Sequence, residues 1–404
     1  MFTSVIRLLS NLLPIRKRSA CFFSFTGLYN DNPLYISESL HNADPDCQIS
    51  WLISDKSKEQ NNIPEYVNVM KYNSIRAQIA LARSRVVVEN YAGIFFGFCK
   101  KNQLWLYQFL KNRKQINIST WHGTPLKKIG IDSIKETKNI AFFSTSDLIV
   151  CGNRYEKHVF RECFSPRIPM VCWGSARDDV LLLKYKQDDY KRMLGLSEEY
   201  HYALYAPTFR DRTKNDACVD SLFGLDLNSL ADTLSVKFGG KWKIITRGHQ
   251  MIQEKMSRVS DSGTNVDGNE HDDMTKYLCA CDVLVTDYSS SMFDILLTNK
   301  PCFLYTPDID EYVSIDRGVY FSLDELPFEK CKNNEQLCQA ILQYDDYKNM
   351  RIREEYVCHL GYPRTADSAK KSADLIVTLM ELSRVQSQEY IRNIALYDTI
   401  NYND

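Results

Sequence analysis

Four polar clusters in this 404-residue chain carry side chains suited to moving a proton or holding an anion. The first is Thr120-Trp121-His122-Gly123-Thr124-Pro125-Leu126-Lys127. Histidine is the side chain best matched to proton transfer near neutral pH. Gly123 lets backbone approach a ligand closely, and Lys127 and Lys128 add positive charge. A loop histidine is often only structural, but here tryptophan, Gly-Thr-Pro and paired lysines bracket it. The second cluster is Gly174-Ser175-Ala176-Arg177-Asp178. Arg177 would hold a phosphate through two parallel N–H bonds, and on composition alone an ion pair with Asp178 or Asp179 is the favoured reading.

The third cluster joins Ala206-Pro207-Thr208-Phe209-Arg210-Asp211 to Thr246-Arg247-Gly248-His249. Each residue alone reads as a solvated loop end, but together Arg210, Arg247 and His249 concentrate donors and positive charge. The fourth is Thr286-Asp287-Tyr288-Ser289-Ser290-Ser291-Met292-Phe293-Asp294. Serines at a helix start serve as caps, and the same geometry offers free N–H groups to phosphate. Asp294 would accept hydrogen bonds from ligand hydroxyls.

The elements that must position these clusters read as alternating strands and helices. Cys21–Phe25, Gln48–Ser54, Arg85–Glu89, Asn117–Thr120 and Asp147–Gly152 are expected strands. Asn32 and Pro33 read as cap and first residue of a helix, and Asn73–Ser84 as another. The alternation pauses over the polar stretch Gly174–Asp189 and restarts with strands at Tyr202–Ala206, Trp242–Thr246, Asp282–Thr286 and Cys302–Tyr305. Helices are expected at Leu227–Phe238 and Ser290–Asn299, and Ser257–Asn269 reads as a loop. Near-continuous apolar strands between helices imply parallel sheets covered on both faces. Two doubly wound domains facing across a cleft, joined near 175–185, would bring all four clusters to the carboxyl ends of the strands.

Composition bounds the function. Net charge is -1, against a dedicated nucleic-acid binder. Thirteen scattered cysteines read as free thiols in a reducing compartment. Arg7 interrupts the first apolar stretch and Arg16, Lys17 and Arg18 follow it, unlike a signal peptide. No run reaches the roughly 18 apolar residues of a membrane span. The first residues fit a basic helix on a membrane surface as well as one packed on the protein. Between Lys100 and Lys138 nine Lys/Arg face two acidic residues, beside Phe95, Phe96, Phe98, Trp105 and Phe109. That mixture suits an anionic membrane or lipid diphosphate, or a helix buried by its aromatic face. No carboxylate cluster demands a metal, and no cofactor is expected.

The strings TWHGTPLK, PTFRD, RGH and VLVTDYSSSMFD, the opening FTGLYNDNPLYI and the later Asp316-Arg317-Gly318 with Tyr320 resemble the CDP-glycerol:poly(glycerophosphate) glycerophosphotransferase family of teichoic-acid and capsule synthesis. The resemblance spans about residues 20–365. It implies a GT-B-like fold of two facing Rossmann-like domains, at the cytoplasmic membrane face. The implied organisation is a basic amphipathic segment over 1–18, an acceptor-side domain over 19–178, a CDP-donor domain over 179–365 and a helical tail over 366–404.

Carried over by motif, His122 would be the general base for the attacking hydroxyl, and His249 would assist at the donor diphosphate. Ser289 and Ser290 would hold phosphate and Asp294 would bind the donor. Trp121, Gly123, Thr124, Arg177, Pro207, Thr208, Arg247 and Gly248 would complete the donor pocket. An acidic residue that the family carries upstream of the first histidine falls at Glu89 or Asn90. The implied reaction is attack by an acceptor hydroxyl, lipid-linked or polymeric, on the β-phosphorus of CDP-glycerol with release of CMP. The alternatives are a nucleotide-sugar glycosyltransferase or epimerase on the same fold, and a catalytically silent capsule scaffold.

Overall fold

The computed structural model describes residues 11–25, 27–59, 62–72, 74–91, 112–133, 146–164, 167–183, 187–208, 224–248, 263–309 and 318–401. The chain forms two compact units: residues 1–122, 136–179 and 361–404 in the first, and 123–135 with 180–360 in the second.

The first unit is built on a seven-stranded parallel sheet. Its strands are β1 (Arg16–Phe23), β2 (Gln48–Ile53), β3 (Val67–Lys71), β4 (Ser84–Glu89), β5 (Ile116–Ser119), β6 (Leu148–Val150) and β7 (Met170–Val171). The order is β3-β2-β1-β4-β5-β6-β7. β4 (SRVVVE) is buried along its whole length, as a strand covered on both faces must be. The order reverses direction between β1 and β4, so the loops leaving their carboxyl ends part there. That is the place where such sheets bind ligands. Register sets Phe23 opposite Glu89 and Glu89 opposite Ser119.

The second unit repeats the plan with six parallel strands: β8 (His201–Ala206), β9 (Trp242–Thr246), β10 (Asn265–Asp267), β11 (Val283–Thr286), β12 (Cys302–Tyr305) and β13 (Glu329–Cys331). Their order is β10-β9-β8-β11-β12-β13, reversing between β8 and β11. Its core joins Tyr205, Ile244, Val285 and Phe303 from the strands to Leu230 and Leu234 of helix Leu227–Phe238. Two doubly wound parallel units agree with the GT-B-like expectation.

Several local readings are corrected. The helix after β1 is Asp31–Ala43 with Asn30 at its N-cap position, so Asn32 is not the cap. Asn265–Asp267, read as loop, pairs with β9, because a three-residue edge strand leaves little periodicity to detect. β3, β7 and β13 are likewise short and were not expected. The helix expected over Ser290–Asn299 spans only Ser291–Ile295. Arg16, Lys17 and Arg18 form the exposed start of β1 rather than the end of a surface helix, and residues 1–10 lie outside the described residues.

The tail belongs to the first unit. Helix Ser368–Glu381 packs on helix Asp31–Ala43. Its first amides, Ser368 and Ala369, donate to the Asp179 carboxylate at 3.1 and 2.8 Å. Helix Arg384–Asn401 is anchored by Asp398, which accepts from the buried Lys157 ammonium at 2.7 Å and from the Cys172 amide at 3.1 Å. Asp398→Ala removes the carboxylate from a buried ammonium, an operation worth about 3–5 kcal/mol. Urea unfolding should register that loss, and proteases should cut the tail of the variant before the rest of the chain.

Candidate functional site

His122 follows β5 by three residues and lies at the switch point of the first sheet. Its Nδ1 is 2.8 Å from the main-chain oxygen of Asn90, the residue that leaves β4. A carbonyl oxygen only accepts, so Nδ1 carries the proton and the neutral ring keeps its lone pair on Nε2. Phe25, Tyr91 and Trp121 pack around the imidazole, with centroids at 4.6, 5.6 and 4.3 Å. Trp121 sits at φ +55, a conformation uncommon for a bulky side chain and typical of strained functional loops. Burial pushes the His122 pKa below the ordinary histidine value; the Asn90 carbonyl and Asp31 oppose that shift, and Arg177 adds to it.

A polar cage secures this loop. Asn32 donates from Nδ2 to the Trp121 oxygen at 3.2 Å and accepts from the Arg177 amide at 3.1 Å. Arg177 donates from Nη1 to the His122 oxygen at 3.2 Å and to Asp31 Oδ1 at 3.1 Å. Asn90 Nδ2 donates to the other Asp31 oxygen at 2.7 Å, while the Phe25 amide donates to Asn90 Oδ1 at 2.9 Å. Trp121, His122 and Arg177 are therefore brought together, with Arg177 in a different task from the one expected. It is 8% exposed and pairs with Asp31, a partner 146 residues away, as well as approaching Asp178 at 3.5 Å. Arg177 does approach Asp178, one of the two aspartates its sequence neighbourhood suggests, but its main partner, Asp31, is not legible in sequence. Asp31, Asn32, Phe25 and Tyr91 were missed. Their only sequence signal is position, in the loops leaving the two strands that flank the switch point. Of the two candidates for the upstream residue, Asn90 meets the histidine, whereas the Glu89 carboxylate accepts from the Tyr91 amide at 2.5 Å.

Beyond His122 the chain passes into the second unit. Gly123 takes φ +134, which only glycine adopts readily, and Thr124 is buried. Lys127 forms an antiparallel bridge with Val319. The Lys128 amide donates to the Gly318 oxygen at 3.0 Å and the Tyr320 amide to the Leu126 oxygen at 2.9 Å. Tyr320 Oη donates to Asp132 at 2.8 Å, so two motifs far apart in sequence are stitched together.

The switch point of the second unit is closed by Asp287. Its carboxylate accepts from the Thr208 amide at 2.9 Å, the Thr208 hydroxyl at 2.6 Å and the Tyr288 amide at 2.6 Å. Pro207 and Thr208 at the end of β8 thus meet the serine turn at the end of β11. Ser289 and Ser290 are both half-buried. Ser289 Oγ accepts from the Ser291 amide at 3.3 Å and lies 2.9 Å from Ser291 Oγ. Ser290 makes no side-chain cap, so capping falls to Ser289. The following helix has five residues, too few for much of a macrodipole. Asp294 is 5% exposed within that helix.

Arg247 departs from expectation. Its guanidinium donates to the main-chain oxygens of Gly268, His271 and Asp272 at 2.5, 2.7 and 2.8 Å and stands 4.8 Å from the Tyr277 ring centre. It holds the loop after β10, a loop whose approach depends on the unanticipated pairing of that strand. Gly248, beside it, is buried. His249, Phe209, Arg210, Asp316 and Arg317 lie outside the described residues. Among the described residues no group of His, Cys, Asp and Glu has metal-site geometry. Asp287→Ala leaves the half-buried Thr208 donors and the buried Tyr288 amide without their acceptor, at up to about 1–3 kcal/mol for each. Calorimetry should show weaker donor binding and lower stability, with Asp287→Asn losing less of both.

Residues 5–377 match the family described as CDP-Glycerol:Poly(glycerophosphate) glycerophosphotransferase. A teichoic acid poly(glycerol phosphate) polymerase of Bacillus spizizenii is 28% identical over 394 residues, covering 91% of this chain and 94% of the relative. A teichoic acid glycerol-phosphate transferase of Staphylococcus aureus is 28% identical over 379 residues, covering 88% and 90%. The polymerase of Bacillus subtilis, at 26% identity, is longer: the match spans 84% of this chain and 46% of that one. Among solved structures, a variant of the wall teichoic acid polymerase TagF superposes with a TM-score of 0.76 at 25% identity, covering 94% of both chains. A structure of TagF soaked with CDPG gives 0.74 at 25%.

Proposed function

The chain belongs to the CDP-glycerol:poly(glycerophosphate) glycerophosphotransferase family, and from that premise we propose how its own residues transfer glycerol phosphate from CDP-glycerol to an acceptor hydroxyl. The observation that carries the reading is the His122 tautomer. With Nδ1 donating to the Asn90 carbonyl, the Nε2 lone pair is the base that takes the acceptor proton. The acceptor oxygen forms a bond to the β-phosphorus, the bond from that phosphorus to the bridging oxygen breaks, and CMP departs with that oxygen. Catalysis of this type is mainly positioning and charge stabilisation.

In the second unit, Ser289 and Ser290 are the proposed ligands of the donor phosphates, with Thr208, held by Asp287, and Pro207, Gly248 and Asp294 shaping the pocket and Arg247 holding its loop. Gly123 and Thr124 complete the donor-side residues, and His249 assists at the diphosphate.

The enzyme is further proposed to work on the inner face of the cell membrane, where an anionic surface and a lipid-linked or polymeric acceptor meet it. Among the described residues no helix is long and apolar enough to cross a membrane. Leu12 is 72% exposed in a segment tied to the Arg113 amide at 2.8 Å and to Arg83 at 3.2 Å. Arg16, Lys17, Arg113 and Lys114 are exposed, and each basic group near an anionic surface contributes about 1 kcal/mol. Of the basic and aromatic stretch between Lys100 and Lys138, residues 100–111 and 134–138 lie outside the described residues.

His122→Ala should abolish CMP release from CDP-glycerol while calorimetric donor binding survives; retained turnover would remove His122 from the base role. Because burial holds this imidazole below its ordinary pKa, the base form persists as pH falls. The acid limb of kcat/KM should therefore lie below the free histidine value of about 6.5. Charge reversal at Arg16, Lys17, Arg113 and Lys114 should release the protein from vesicles rich in anionic lipid in a flotation assay, with soluble-acceptor turnover kept. Unaltered flotation would sink the membrane assignment.

A further inference from the structure

We propose that Asp31 and Arg177 are positioning residues for the transfer: one carboxylate, bridging the Arg177 guanidinium and the Asn90 carboxamide, fixes the His122 imidazole from both of its sides. The inference rests on His122 as the base.

Each arm of the bridge ends on the histidine. Through Oδ1, Asp31 orients Arg177, whose Nη1 also donates to the His122 main-chain oxygen at 3.2 Å. Through Oδ2 it holds the Asn90 side chain at 2.7 Å, and the main-chain oxygen of Asn90 takes the Nδ1 proton at 2.8 Å. The carboxylate thus stands one residue removed from His122 on both routes, reaching the ring through Asn90 and the main-chain oxygen through Arg177. A direct carboxylate partner would stabilise the imidazolium strongly. A carbonyl partner fixes the same tautomer with a smaller rise in basicity.

Two further observations support a dedicated device. Asp31 sits at φ +62, a left-handed conformation that costs an aspartate energy and persists where surroundings over-determine it. Asp31 and Arg177 are 9% and 8% exposed, so the pair is withdrawn from solvent screening. Breaking it strands a buried charge beside the histidine. The groups facing the imidazole are the rings of Phe25, Tyr91 and Trp121, together with Asp31 and Arg177. Asp178 stands 3.5 Å behind the guanidinium, and the Glu89 carboxylate is held by the Tyr91 amide. Only Asp31 and Arg177 among these charged groups act on the His122 equilibrium, and in opposite senses: Asp31 raises it and Arg177 lowers it.

That opposition makes the test specific. Asp31→Asn, Arg177→Met, the double variant, Arg177→Lys and His122→Ala are compared by steady-state kinetics with CDP-glycerol across pH, with thermal melts as a folding control. Positioning predicts that kcat falls about 30- to 100-fold in the single variants, the scale of a misplaced reacting group, while KM for CDP-glycerol stays within about twofold. The acid limb should move to lower pH in Asp31→Asn and to higher pH in Arg177→Met. It should return toward the parent position in the double variant, where both charges are gone. Arg177→Lys, which keeps the charge, should leave the limb in place and recover part of kcat. A raised KM with kcat intact would overturn the proposal and return Arg177 to the donor phosphates. Loss of kcat with an unmoved limb in both single variants would overturn it as well, reducing the pair to structural support. Turnover by His122→Ala would defeat the base assignment itself, and that outcome is distinct from either of the others.

Discussion

A parallel sheet whose strand order reverses direction must leave a gap at one point, because the loops on either side turn to opposite faces. Backbone groups there have no neighbouring strand to complete the ladder, and side chains must satisfy them. In both units of this protein that constraint decides where the polar chemistry goes. At the β1–β4 gap the Asn90 side chain and main chain take the Phe25 amide and the His122 ring. At the β8–β11 gap the Asp287 carboxylate takes the Thr208 and Tyr288 amides. The same device, a short amide or carboxylate side chain just past a central strand, is used twice, once beside the His122 imidazole and once around the Thr208 hydroxyl.

The two gaps differ in electrostatic character. The first is aromatic: Phe25, Tyr91 and Trp121 surround the imidazole, whose burial lowers its pKa, while the nearby charges of Asp31 and Arg177 are buried as a pair. The second is polar: the Asp287 carboxylate takes the Thr208 hydroxyl and the Thr208 and Tyr288 amides, and the neighbouring Ser289 and Ser290 are half-buried. Each unit thus places a different polar set at its own switch point, in a chain that belongs to the glycerophosphotransferase family.

Much of this was legible in the chain. The apolar runs RVVVE, YALYA, WKIIT and CFLY declare buried parallel strands because strands covered on both faces need no polar alternation. The strings around His122, Thr208, Arg247 and Ser289 stand immediately after such runs, which marks them as loop residues at strand ends. Short edge strands were not legible. Asn265–Asp267 is three residues of mixed polarity, and its existence depends on β9 lying beside it. The reassignment of Arg247 follows directly, since the three carbonyls that take its guanidinium arrive on the loop after that strand.

What the sequence determined by itself was therefore the class of fold, the family and the positions where chemistry is possible, since these depend on local pattern and on motif. What only the tertiary structure decided was which polar groups meet. Asp31 and Arg177 lie 146 positions apart, and Asn90 and His122 lie 32 apart. No periodicity encodes such pairs. They are brought together by the order in which strands enter the sheet, and that order settles which carboxylate a buried arginine meets.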